Sequence, residues 1–295
     1  MTDAASLSSG KDHRGENFPV ASRLVRPELR PAILAFYRFA RAADDVADHA
    51  TAEPARKLAL LDSLEAALHG DRSGAPEGLA LDAALRERGL SDQHALDLLK
   101  AFRLDVTKRR YASWSDLMDY CRFSAAPVGR FVLDLHGEPR SLWPANDALC
   151  AALQVINHLQ DCAKDYRELD RVYIPQDLLS DHGISVEALG GKQASAGLRA
   201  AIADTAGLTQ GLLAQAKPFA ANIADRRLSL EVGVIQSLAD SLVLRLERYD
   251  PLSERVHHHA IETAGLALRG LLCVAARRSR LALSTRHVHS SGGRE

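Results

Sequence analysis

The chain has 295 residues, 46% of them apolar, and its 37 Lys and Arg against 38 Asp and Glu leave a net charge of −1. That length carries a large buried core, and the apolar share is that of a globular protein. The even charge balance excludes a basic footprint for nucleic acid.

Residues 1–15 read as an N-terminal tail without the apolar stretch of a signal peptide. Helical periodicity dominates from there on, with almost no strand or hairpin signal. Pro27 and Pro31 open a helix running through Phe36, Phe39, Ala43, Val46 and Ala47. A second helix covers Pro54 to Leu68, and two more lie near Leu79 to Arg88 and Ser91 to Thr107. Asp116 to Gly137 is expected as a helix with a kink or break at Pro127. Asn146 to Leu169 reads as one long helix, ended by Tyr173-Ile-Pro and a Gly/Ser-rich loop with one short helical turn. Leu198 to Ala224, Ser229 to Tyr249 and Glu254 to Leu283 close the chain before a disordered tail, 284–295. No Pro/Gly/Ser linker divides two cores, so residues 16–283 are expected to form a single all-α domain.

No run of about 18 uninterrupted apolar residues is present to span a bilayer. Cys121, Cys150, Cys162 and Cys273 have neither metal-ligand nor disulfide spacing and all sit in apolar helical contexts. Reduced core thiols in a cytoplasmic protein are expected, with at most peripheral contact at the inner membrane. His257-His258-His259 resembles a metal tract, but consecutive residues on a helix diverge by about 100° and cannot share an ion. It is expected to be solvated surface.

Two acidic segments carry the chemistry. A step of four residues returns a side chain to nearly the same helical face, about one turn along the axis. Asp44 and Asp48 form one such ridge, and Asn157, Asp161 and Asp165 form another, each among Ala, Val, Ile, Leu and Phe. Like charges at that spacing repel, and buried carboxylates are costly unless a cation joins them. Facing all-oxygen ridges suit magnesium, which takes carboxylates, waters and substrate phosphates. Tyr37 and Arg41 share the first face, where the planar Arg fork matches phosphate oxygens. Gln154 lies one turn before Asn157, and Arg171 and Tyr173 follow the second ridge. A locally paired, solvated acidic helix end is the alternative for either ridge alone; for the second it requires Asp161 to face water, which its apolar flanks argue against. Ser124 to Gly129 offers small residues that either admit a bulky apolar ligand or let helices pack closely. Tyr120, Phe123 and Phe131 either line an apolar channel or fill the core.

FYRFARAADDVAD, DVTKRRYASWSDLMDYCRFSAAPVGR and QVINHLQDCAKDYRELDRVYIP together resemble the squalene and phytoene synthase family, the head-to-head isoprenyl diphosphate synthases. Within it, Glu16 to Ser22 and Ser124 to Arg130 are most similar to the hydroxysqualene branch of hopanoid synthesis. The resemblance implies a single-domain all-α terpenoid synthase bundle with a central cavity. It implies magnesium at Asp44, Asp48, Asn157, Asp161 and Asp165, with Tyr37, Arg41, Arg171 and Tyr173 assisting the diphosphate. Tyr120 corresponds to a tyrosine implicated in cation chemistry, Gln154 to a polar cavity residue, and Phe123 to a substrate contact. The implied reaction turns presqualene diphosphate into hydroxysqualene, with handover to other squalene-pathway enzymes. Gln160 and Lys164 stand where most phytoene and squalene synthases have an Arg and an acid, and Ser124-Ala125-Ala126 replaces their Val-Ala-Gly. No Gly-rich phosphate loop for a nicotinamide is visible, so no NADPH is expected. The rivals are squalene, dehydrosqualene or phytoene synthesis from two prenyl diphosphates, and a non-catalytic family member that assembles partners.

Overall fold

The computed structural model describes residues 26–291, with side chains as far as Ser279. The N-terminal tail and the Glu16 to Ser22 block lie outside the described residues.

The described chain is helical, in the order α1 (Arg30–Asp48), α2 (Pro54–Leu68), α3 (Pro76–Arg88), α4 (Gln93–Thr107), α5 (Trp114–Ser124), α6 (Ala126–Leu135), α7 (Trp143–Gln160), α8 (Cys162–Leu169), α9 (Gln176–Asp181), α10 (Ala196–Ala216), α11 (Phe219–Asn222), α12 (Arg226–Leu246) and α13 (Ala260–Ser291). Proline stands in the first turn of α1, α2, α3, α6 and α7, where its missing N–H costs no helical hydrogen bond. The Ser113, Ser195 and Asp225 side chains accept backbone N–H groups that would otherwise be orphaned at the starts of α5, α10 and α12.

Two expected helices are each divided. The kink or break expected near Pro127 is a break: Ala125 (φ −121°, ψ −50°) separates α5 from α6, leaving the proline in the first turn of α6. The Asn146–Leu169 span breaks at Asp161 (φ −99°, ψ 7°), between α7 and α8. Aspartate favours caps over helix interiors, and Asp165 one turn on adds like-charge repulsion. Near the end, α13 begins at Ala260 and runs past Leu283 to Ser291. His257, His258 and His259 precede it in irregular chain, where His258 Nε2 lies 2.9 Å from Ser241 Oγ. Half-buried His257 and His258 are thus not the fully solvated surface expected.

Two apolar clusters build the interior. Helices α1 to α4 bury Phe36, Phe39, Leu61, Leu64, Leu81 and Leu99 together. The other cluster joins α5 and α7 to α12 around Leu117, Val155, Ile156, Leu159, Ile202 and Val243. Phe131 of α6 joins the first cluster by stacking on Phe36, ring centroids 4.0 Å apart, while Leu133 of the same helix packs in the other. Gly129 lets α6 approach α7: a Cβ there would lie 2.0 Å from Asn146 Oδ1 and 2.7 Å from Cys150 Sγ. Close helix packing is thus one role of the Ser124–Gly129 stretch, and Val128 and Gly129 also line a cavity. Cys121 and Cys162 are buried and Cys150 is half-buried, but Cys273 is exposed, because α13 covers the bundle with one face only. No helix among the described residues is long and apolar enough to cross a membrane.

Candidate active site

A cavity of about 420 Å³ lies between the two clusters. Ile33 and Phe36 of α1, Phe102 of α4, Phe131 of α6, Leu149 and Leu153 of α7 and Ile235 of α12 make it largely apolar. Its polar wall carries Tyr37, Arg41 and Asp44 from α1 and Asn157 from α7. Helical spacing explains the first set: steps of four and three put Tyr37, Arg41 and Asp44 on the side of α1 that faces α7 across the cavity. Elements distant in sequence thus bring the first ridge and the start of the second to one chamber.

Arg41 Nη1 donates to Asp44 Oδ2 at 2.7 Å, and its Nη2 lies 3.2 Å from Asp45 Oδ1. The local pairing considered for Arg41 is therefore present, at the cavity wall. Protein encloses Asp44 on the sides away from the cavity. That burial first, and the neighbouring Asp48 charge second, push its carboxyl up to about 8 against the pull of Arg41.

Asp48, one turn on, accepts from Arg171 Nη1 at 2.5 Å. Arg171 is buried, and its Nη2 also donates to the carbonyls of Ala47 (3.2 Å) and Asp105 (2.9 Å). One guanidinium therefore joins the end of α1 to the end of α4. Backbone pairing holds it in register, with Val172 N donating to Arg109 O and Gln176 N to Tyr111 O, each at 2.9 Å. Asp170 caps α8 in the left-handed region (φ 51°), which aspartate tolerates better than most residues.

On the facing wall Asn157 ends in the cavity, while Asp161 and Asp165 sit at and beyond the α7–α8 break. Asp161 is exposed rather than enclosed, contrary to expectation, because the break turns it out of the apolar stripe. Partial burial and then Asp165 still hold its carboxyl above the usual range. Among the described residues no three His, Cys, Asp or Glu side chains converge on a metal position. A closed cage is therefore absent among them. The donors nonetheless fit magnesium, which needs one or two carboxylates and completes its shell with water and phosphate. Burial first, and the neighbouring Asp48 second, raise the Asp44 carboxyl, and a divalent cation beside it would favour its charged form.

Beside this wall lies an aromatic group that the sequence only partly discloses. Tyr173 stacks on His158 with centroids 3.4 Å apart and planes at 9°, and Tyr111 and Tyr120 pack within 5.8 Å of Tyr173. Gln154 Nε2 lies 3.1 Å from His158 Nε2, and His158 Nδ1 lies 3.9 Å from Asp165 Oδ2. Tyr120 donates its hydroxyl proton to Asp105 Oδ2 at 2.9 Å. Burial above all pushes Asp105 up to about 7, with Arg171 and the Tyr120 hydrogen bond opposing it. Burial also carries the Tyr120 and Tyr173 phenols well above their ordinary value, so both stay neutral. Phe123 stands apart from the cavity lining, with Lys100 Nζ 5.3 Å from its ring centroid. Asp105, Tyr111 and His158 were not singled out beforehand. For Asp105 the available signal was a carboxylate on the apolar side of a helix, between Ala101, Phe102 and Val106.

Removing the Tyr120 hydroxyl tests this support. Tyr120→Phe leaves a buried Asp105 oxygen without its donor, and Asp105 Oδ1 already has no hydrogen-bond partner. Urea unfolding should report a loss of about 1–3 kcal/mol. An unchanged midpoint and slope would contradict the assigned hydrogen bond.

Comparison with known proteins gives a consistent pattern. A family model described as squalene/phytoene synthase matches residues 11–262. Hydroxysqualene synthase from Zymomonas mobilis is 55% identical over 267 residues, covering 90% of this chain and 90% of the relative. Hydroxysqualene synthase from Rhodopseudomonas palustris is also 55% identical, over 262 residues covering 89% and 90%. The crystal structure of squalene synthase HpnC from Alicyclobacillus acidocaldarius superposes with a TM-score of 0.66 at 27% identity, covering 94% of this chain and 92% of that one.

Proposed function

The chain belongs to the squalene/phytoene synthase family and has its all-α isoprenoid synthase fold, and on that premise we propose that it is a magnesium-dependent enzyme converting presqualene diphosphate to hydroxysqualene. The observation that carries this reading is the meeting of Arg41, Asp44 and Asn157 with an apolar cavity of about 420 Å³. A molecule with a diphosphate head and long hydrocarbon arms matches both halves. The names of the two relatives at 55% identity support the same product.

Magnesium bound between Asp44 and Asp48 on one wall and Asn157, Asp161 and Asp165 on the other would supply the positive charge that makes diphosphate a good leaving group. Arg41 and Arg171 orient those carboxylates, and their guanidinium groups match phosphate geometry. The C–O bond breaks with its electron pair going to the diphosphate. Ile33, Phe36, Phe102, Phe131 and Leu153 then surround the carbocation with groups that cannot trap it prematurely. Tyr120 and Tyr173, neutral and packed with ring centroids 5.8 Å apart, lie outside that lining. The cation rearranges as a cyclopropane C–C bond migrates and the ring opens; an admitted water then forms the new C–O bond and loses a proton, giving hydroxysqualene. No hydride donor takes part, so NADPH is not required. The reading includes a cytoplasmic enzyme that receives its lipid substrate at the inner-membrane surface and passes its product to the next squalene-pathway enzyme.

The rival is head-to-head condensation of two prenyl diphosphates to squalene, dehydrosqualene or phytoene, favoured by the squalene synthase superposition. One assay separates them. Purified protein with magnesium and presqualene diphosphate in ¹⁸O-water should yield ¹⁸O-labelled hydroxysqualene, at the same rate with and without NADPH. Squalene appearing on addition of NADPH, or phytoene formed from geranylgeranyl diphosphate, would favour the rival.

A further inference from the structure

A second cavity of about 540 Å³ lies between α10, α12 and α13 and shares no lining residue with the first. That is within the size of pockets that hold small ligands, about 300–1,000 Å³. Helices α12 and α13 touch backbone to backbone at one side of it: a Cβ on Gly270 would lie 2.4 Å from Gly233 O, and one on Gly233 2.2 Å from Val274 Cγ2. Leu213, Leu244 and Val274 supply its apolar walls.

Three cations, Lys217, Arg269 and Arg277, line the same cavity with one carboxylate, Asp240. Arg277 donates to the Lys217 carbonyl, which anchors its guanidinium to the chain at the end of α10. Burial raises the Asp240 carboxyl while Lys217, Arg269 and Arg277 pull it down, so all three act on one locus. Two buried polar groups in the lining lack partners. Gln236 uses its amide N–H on Leu213 O at 2.9 Å, leaving Oε1 without a hydrogen bond, and Ser237 Oγ has none. Unpaired buried polar groups are costly, and a bound ligand is one way to satisfy them.

We propose that this cavity binds a single-chain amphiphile with a phosphate head. Lys217, Arg269 and Arg277 would take the head, and Leu213, Leu244 and Val274 would hold the chain. The inference rests on this cavity's own residues and stands or falls separately from the proposed reaction.

Cys273 supplies a built-in reporter. It lines the cavity and is exposed, whereas burial pushes the thiols of Cys121, Cys150 and Cys162 up to about 12 and leaves them unreactive at neutral pH. The probe is dodecyl phosphate below its micellar concentration, without magnesium, and the readout is Cys273 labelling by Ellman's reagent. Saturating probe should slow labelling about tenfold, as 90% occupancy requires. Inorganic phosphate and dodecyl maltoside should protect far less. Lys217→Glu with Arg269→Glu should abolish protection while leaving labelling of the free protein unchanged. Arg269→Gln should weaken it in the same direction, so the outcome does not depend on the stability of the double variant. Unprotected Cys273, equal protection by dodecyl maltoside, or protection surviving the charge reversal would overturn the proposal. So would protection only by phosphatidylglycerol vesicles, which would make the face a membrane contact instead of a cavity for one amphiphile.

Discussion

Asp48→Asn and Asp161→Asn should each reduce kcat with presqualene diphosphate on the order of 10²-fold or more while leaving the helical spectrum intact. Loss of one preorganised charge-stabilising group at a developing anion carries an effect of about that size. The carboxylates lie on α1 and at the α7–α8 break, on separate elements rather than on one helix. Under the proposed mechanism they serve one ionisation, so removing either already disables it. The double variant should therefore be scarcely slower than the worse single one, far short of the product of the two effects. Multiplicative losses would mean that the two walls act in separate steps. Near-normal turnover of either variant at ordinary magnesium would remove that residue from the site.

The second large effect concerns the fold that holds the site. Arg171→Ala withdraws a buried guanidinium that serves Asp48 Oδ1 and the carbonyls of Ala47 and Asp105. Asp48 is partly solvated, so the ion pair itself contributes modestly. The Asp105 carbonyl loses its side-chain donor, which adds about 1–3 kcal/mol, while the Ala47 carbonyl keeps the Lys57 ammonium at 2.9 Å. The expected loss is about 3 kcal/mol, read from the urea midpoint at constant slope. Arg171→Lys should recover little of it, because a single ammonium cannot span three acceptors with the geometry of a planar fork. Full stability in Arg171→Ala would show that the ends of α1 and α4 are held by other contacts. An activity loss without a stability loss would assign Arg171 to the diphosphate alone.

Helical spacing made the first ridge legible. Asp44 and Asp48 recur with the turn of an unbroken helix, and α1 is unbroken to Asp48. The same rule applied to Asn157, Asp161 and Asp165 joined on one helix residues that the structure divides at Asp161. An aspartate ending α7 and capping α8 is indistinguishable by periodicity from one in mid-helix. The α2 boundaries followed from Pro54 and the polar break after Leu68, both local signals. What escaped was long-range pairing. Tyr120 reaches Asp105 across the α4–α5 connection, and Arg171 reaches Asp48 from 123 positions away. No periodicity within one helix encodes either. His158 drew no attention because its meaning comes from Tyr173 on a different segment. Cys273 looked like a core thiol because a helix carrying Leu, Ala and Val on most sides does not declare which side is covered. Here the covered side is that of Gly270 and Val274, and Leu268 and Leu272 stay exposed.

The central claim is that the two oxygen-bearing walls grip a diphosphate through magnesium and release it into an apolar chamber where water completes the reaction. Its most direct test follows diphosphate release and hydroxysqualene formation together from presqualene diphosphate, with magnesium titrated into EDTA-treated protein. Both products should appear in equal amounts, rise together with magnesium, and cease when it is removed. Undiminished turnover in EDTA, or diphosphate released without the alcohol, would contradict it.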